Sequence, residues 1–262
     1  MITEIDKTYI KNLVKEGKRD DGRDFLQFRD MKIETGYVKN AEGSALVTLG
    51  DTKVLVGVKM EVGEPFPDTP DEGILIVNAE LVPIASPEFE SGPPDENAIE
   101  LARVVDRGIR ESKAINLKKL CIKEGERVWI VFVDIHIISD GGNLMDASSI
   151  GAIAALLDTK IPKIEEDETI NREEYTGKLE ISKIPISCTV NKISGKLLVD
   201  PTYEEEEATE GKITITTIDG AMCAMQKSGV GGFTADELNE AIKISMEKGK
   251  EIREKYFKNF VK

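Results

Sequence analysis

Val128 to Leu157, VWIVFVDIHIISDGGNLMDASSIGAIAALL, constrains the fold more than any other stretch of the chain. Val128–Ile138 is almost wholly apolar and rich in β-branched residues, the composition of a strand buried on both faces. Gly141 and Gly142 permit a sharp turn, and Asp146 is placed for a helix N-cap. Ala147, Gly151, Ala152, Ala154 and Ala155 then make a small-residue helix able to press close against a strand. Strand, Gly-Gly turn and helix N-terminus together form a geometry that holds anions. Here the cradle carries an Asp, and no Arg or Lys lies between Gly141 and Leu157. The lone His136, inside the most apolar strand, is expected as a hydrogen-bonded core residue, which excludes a Ser–His–Asp arrangement.

A chain of 262 residues can bury a full core as one large domain or two lobes. The net charge of −14 argues against a nucleic-acid partner for the molecule as a whole. Position matters more than the sum, however. Acid is concentrated at 64–72, 165–174 and 204–210, which leaves room for a local basic stripe. Cys121, Cys188 and Cys223 stand apart in apolar runs, as small hydrophobes of a reducing compartment do. No apolar signal core opens the chain and no run approaches a membrane span, so a soluble cytoplasmic protein without membrane contact is expected.

Along the chain, 4–16 predicts a short amphipathic helix with Ile5, Tyr9, Leu13 and Val14 on one face. Arg19, Arg23 and Arg29 follow in a charged segment and are expected as solvated loop charges. Gly43–Lys59 predicts a hairpin turning at Gly50-Asp51. A proline-rich stretch over 61–95 reads as ordered surface loops around a strand at Gly73–Val82. Asp95 then opens a helix from Glu96 to about Ala114, with Ala98, Leu101, Ala102, Val105 and Ile109 on one face. Arg103, Arg107 and Arg110, at i, i+4 and i+7, line the opposite face. Three guanidiniums on one ridge suit a phosphate backbone. Flanked by Glu100, Asp106 and Glu111, they equally suit a salt-bridged solvent face, and spacing alone leaves both readings open.

The predicted organisation is an N-terminal helix and arm (1–26), a first lobe (27–163), an acidic connector (164–181) and a second lobe (182–262) with a long C-terminal helix. Strands at Ile184–Lys192, Lys196–Asp200, Lys212–Ile218 and Ala221–Lys227 build the second lobe, with Asp219-Gly220 as a type I′ turn signal. Thr234-Ala-Asp-Glu237 is a capping box for the final helix. Among chemical constellations, Asp200 with Glu204–Glu207 could share a Mg²⁺ ion, although four consecutive glutamates more simply make a solvated loop. No zinc spacing, Walker loop or dinucleotide fingerprint is present.

Five segments in order resemble the RNase PH family of phosphorolytic 3′→5′ exoribonucleases: R-D-D-G-R at Arg19–Arg23, GSALVTLGDTKVLVGVK, ELARVVDRGIRESKA, VDIHIISDGGN and LLVDPTYEEE. The resemblance implies an α/β (α+β) RNase PH-like fold of two βαβα-type lobes, with mixed sheets packed against helices. The GPPDENAIELARVVDRGIRESKA segment, with DGGN and LMDA, resembles the family's non-catalytic ring subunits of archaeal exosomes. It implies a catalytic RNase PH-like partner in a hetero-hexameric ring of three heterodimers, RNA-binding cap proteins, single-stranded RNA, and no cofactor beyond Mg²⁺ at the partner's active site. Active members follow DGG with a hydroxyl–Arg–hydroxyl run that binds phosphate, whereas this chain has Asn143, Leu144, Met145 and Asp146, with Ser148 following. A carboxylate ~4 Å from a phosphate, at an effective dielectric near 20, costs roughly 4 kcal/mol per charge pair, about a thousandfold in affinity. The family's catalytic aspartates fall on Asp200 and Glu206, a degenerate pair, so no catalytic residue is assigned. The resemblance also implies that Arg103 and Arg107, with Arg110 as a weaker third, touch RNA beside the partner's active site. A self-sufficient phosphorolytic nuclease and a purely structural ring subunit are the alternatives.

Overall fold

A computed structural model describes residues 3–165 and 169–258. The chain opens with helix α1 (Glu4–Lys15), strand β1 (Met31–Thr35) and the hairpin β2 (Gly43–Leu49) and β3 (Thr52–Gly63). Strand β4 (Ile74–Leu81), helix α2 (Glu96–Ser112), a 3-10 turn at Leu117–Leu120 and the short β5 (Cys121–Lys123) lead into β6 (Arg127–Ser139) and helix α3 (Leu144–Asp158). After β7 (Lys160–Ile164) and β8 (Ile170–Lys178) come β9 (Ile186–Ile193), β10 (Lys196–Val199), the short helix α4 (Tyr203–Glu207), β11 (Gly211–Ile218), β12 (Ala221–Ser228) and helix α5 (Ala235–Tyr256).

The first sheet runs β1-β2-β3-β6-β4, with β5 also on β6. It is mixed, because β4 joins β6 in parallel while its other pairs are antiparallel. The second sheet, β10-β9-β11-β12, is antiparallel throughout rather than mixed, since each of its connections is too short for a parallel crossover. Helices α2 and α3 lie between the sheets, and α5 covers the far face of the second. Successive residues of β11 show the alternation: a Cβ on Gly108 of α2 would meet Thr216, and one on Gly249 of α5 would meet Thr217. Asp146–Leu156 of α3 is buried around its whole circumference, because both sheets press on it. The small residues make this possible: a Cβ on Gly151 would sit 2.8 Å from Val56 Cγ2.

Caps follow the sequence. Asp95 accepts from Ala98 N at 2.8 Å to open α2, and Thr234 and Glu237 form the capping box of α5. Gly50 has the left-handed φ (56°) that its hairpin turn needs.

Further expectations about the elements need correction. Strand β6 is not buried on both faces: Val131, Val133, Ile135 and Ile137 are fully buried, while Ile130, Phe132, Asp134 and His136 are only partly covered. His136 is therefore no core residue; its side chain is 41% exposed and faces Glu80 at 3.3 Å. Helix α1 buries Ile10 and Val14 against Ile193, Leu198 and Ala208, leaving Ile5 80% and Tyr9 54% exposed. The described part of the acidic connector carries strand β8, which pairs back on β7 at the end of the first lobe, and its Arg172 pairs with Glu42 and Glu61 of that lobe; residues 166–168 lie outside the described residues. The type I′ geometry falls at Ser194-Gly195 (φ 49° and 75°), not at Asp219-Gly220, where only Gly220 has positive φ and the ladder shifts register between Thr216 and Thr217.

Candidate nucleic-acid interface and degenerate phosphate site

The Gly-Gly turn delivers the chain from β6 into α3, and its tightness is set by the second lobe. Gly142 has φ 88°, and a Cβ there would lie 2.5 Å from the Thr202 carbonyl carbon. Asn143, not Asp146, is the N-cap residue; it sits at φ 57° with no side-chain cap bond. Its backbone N–H donates to Glu206 Oε2 at 2.9 Å, so the anion position at the helix N-terminus holds the chain's own carboxylate. Lys212 Nζ holds the other Glu206 oxygen at 2.7 Å. Burial would raise the Glu206 carboxyl, but Lys212 and the Asn143 N–H outweigh it and keep it below the usual carboxylate range.

Asp200, at φ 47° after β10, is fully buried. Arg29 reaches its two oxygens through Nε (2.9 Å) and Nη2 (2.7 Å), and the Arg29 backbone N–H adds a bond of 2.7 Å. Arg23 Nη1 and Asn143 Nδ2 complete the shell, each at 3.0 Å. Arg29 also donates to the carbonyls of Gly141 and Gly142, at 2.6 and 3.0 Å, which locks the turn to Asp200. One residue along α4, Glu205 takes a bidentate bond from the buried Arg19, at 2.8 and 2.5 Å. Arg19, Arg23 and Arg29 are thus structural ions rather than solvated charges, and the glutamate run is a capped helical turn rather than a solvated loop. Sequence reasoning missed this set. The available signal was the recurrence of arginines in R-D-D-G-R and Arg29 opposite a run of carboxylates far along the chain.

Asp146 turns away from the cradle into the inter-sheet layer. It accepts from Thr189 Oγ1 (2.7 Å), Thr189 N (3.1 Å) and Asn143 Nδ2 (3.1 Å). Burial pushes its carboxyl up to about 7 against these hydrogen bonds, and the charge of Asp200 adds to the rise. The carboxylate opposing a phosphate at the helix N-terminus is consequently Glu206, not Asp146. Ser148 is fully buried, and its hydroxyl has no partner among the described residues; Ser149 bonds Ser187 at 2.9 Å. The donor set does not fit a Mg²⁺ ion, because guanidinium, ammonium and amide groups already occupy the oxygens of Asp200 and Glu206.

On α2 the three arginines are exposed and differ in their ties. Arg110 is held by Asp106 at 2.7 Å and donates to the Leu75 carbonyl at 3.1 Å, closing part of the open edge of β4. Arg107 donates to Gln226 Oε1 at 3.2 Å, and Arg103 makes no ion pair among the described residues.

Residues 27–162 match domain 1, and residues 183–248 domain 2, of the 3′ exoribonuclease family, also named RNase PH. The chain belongs to the RNase PH family. Curated relatives named exosome complex component Rrp42 include that of Methanosarcina acetivorans, 52% identical over 100% of this chain and 97% of the relative. The Rrp42 of Thermococcus kodakarensis is 51% identical over 98% of this chain and 96% of the relative. Among solved structures, a chain of an Archaeoglobus fulgidus exosome with RNA bound to the active site superposes with a TM-score of 0.91 at 52% identity, covering 97% of this chain and 98% of that one. This agrees with the α/β architecture of helices packed on sheets expected from the sequence.

Proposed function

We propose that the chain is a non-catalytic ring component of an archaeal exosome, one that supports phosphorolytic 3′→5′ RNA decay on a catalytic RNase PH-like partner. The relatives' names supply the complex, and one observation carries the division of labour. Glu206 occupies the anion position at the N-terminus of α3, and Asp200 is consumed by Arg23 and Arg29. Admitting phosphate would require expelling a carboxylate that Lys212 already neutralises.

In this reading Arg103 and Arg107 hold RNA phosphates beside the partner's active site, and Arg110 serves mainly α2 and β4. Three heterodimers form the ring, cap proteins bind RNA on one face, and Mg²⁺, where used, acts in the partner. The separated free cysteines suit the cytoplasm. No described helix is long and apolar enough to cross a membrane.

The purified chain with single-stranded RNA, phosphate and Mg²⁺ is expected to release no nucleoside diphosphate, while the ring reassembled with its catalytic partner does. Release by the isolated chain would overturn the proposal. In the ring, R103E/R107E is expected to weaken RNA binding and flatten its salt dependence by about 0.7 per lost phosphate contact. Unchanged binding would leave a purely structural subunit.

A further inference from the structure

The arginine ridge of α2 also carries an acid. Glu100 precedes Arg103 by three residues and Arg107 by seven, so all three share one face. At that spacing Glu100 would ordinarily pair with Arg103 and mask it. It does not. Glu100 Oε1 accepts from Ser228 Oγ at 2.5 Å and from Gln226 Nε2 at 3.5 Å, both on β12 of the second lobe. Lys212, the register partner of Ser228, lies close enough for Glu100 to raise its pKa, behind the dominant effect of Glu206. The other end of the Gln226 amide accepts from Arg107 Nη1 at 3.2 Å. Only one amide orientation satisfies both neighbours, since a carboxylate can only accept and a guanidinium only donate.

We infer that Gln226 and Ser228 are positioning residues for RNA: they draw Glu100 off the ridge and aim Arg107, leaving Arg103 and Arg107 open to phosphate. This rests on the proposed RNA contact of those arginines. The second lobe thereby sets the effective charge of a helix that belongs to the first. Glutamine is suited to position 226 because it meets an acid and a base at once. The near-isosteric Gln226→Glu would bind Arg107 as an ion pair and repel Glu100 toward Arg103.

The test uses the ring reassembled with its catalytic partner and a single-stranded RNA oligonucleotide, with affinity measured across a salt series and the thermal midpoint of each variant recorded. Q226A/S228A is expected to weaken binding about threefold, with a salt slope lower by about 0.7, as one phosphate contact is masked. Adding Glu100→Gln to that pair should restore the salt slope and part of the affinity, since no carboxylate remains to mask Arg103, which a merely structural defect would not allow. Q226E should weaken binding at an unchanged thermal midpoint. If R103E/R107E weakens binding while Q226A/S228A does not, or if Glu100→Gln fails to rescue, the inference falls and the RNA contact stands. If R103E/R107E itself has no effect, both fall together.

Discussion

Asp200 is a buried acid enclosed by basic and amide groups of this chain. Five hydrogen bonds, four from Arg23 and Arg29 and one from Asn143, converge on its carboxylate. A buried carboxylate so neutralised is an organising ion, and removing a single partner strands the remaining charge. Arg29→Met is therefore expected to cost roughly 3–5 kcal/mol in denaturant unfolding. Asp146 behaves in the opposite sense. Its folded pKa of about 7 lies above the ordinary 3.8, so its contribution is fully present below about pH 4 and is lost as pH rises to about 7. Three units correspond to about 4 kcal/mol. The thermal midpoint should fall between pH 4 and 7, and Asp146→Asn should flatten that fall; an unchanged profile would show that Asp146 does not titrate there.

At the scale of elements, α3 and the turn before it connect everything else. Its small residues were legible because a helix pressed by two sheets needs Gly and Ala where a strand comes closest, and the Gly-Gly turn was legible because few residues adopt φ near 88°. What the turn packs against was not legible, since Thr202 follows it by sixty residues. Gly142→Ala should cost roughly 3 kcal/mol by adding left-handed strain to a clash with the Thr202 backbone, read as a lower denaturant midpoint. A neutral result would show that α4 can yield. The arginine ridge of α2 was visible as spacing, whereas the place of Glu100 beside it depends on β12. For β6, apolar content misled: Ile130 and Phe132 lie on the outer face of the sheet, where the single chain leaves them partly uncovered and where His136 also emerges. Composition reports that a surface is apolar; it does not say whether this chain or another covers it.

Across the whole molecule, the sheets sandwich α2 and α3, and the seam facing the second sheet is polar. Ser149 bonds Ser187, Ser187 bonds Thr216, and Asp146 bonds Thr189. Because α3 packs on both sheets, the lobes have no independent core boundary at that layer. Calorimetry should accordingly show one transition with matching calorimetric and van't Hoff enthalpies; two resolved transitions would separate the lobes. By itself, the sequence determined the long helices and the main hairpins, the caps of α2 and α5, the family, and the lack of any Arg or Lys between Gly141 and Leu157. These depend on period, turn chemistry and residue identity, all of which act over a few neighbours. Only the tertiary structure decided where each charge goes: Glu206 onto the helix N-terminus, three arginines inward onto Asp200 and Glu205, Asp146 into the seam and Glu100 away from Arg103. The energy of a charge depends on its solvation and on partners distant along the chain, and those are fixed only when the layers close.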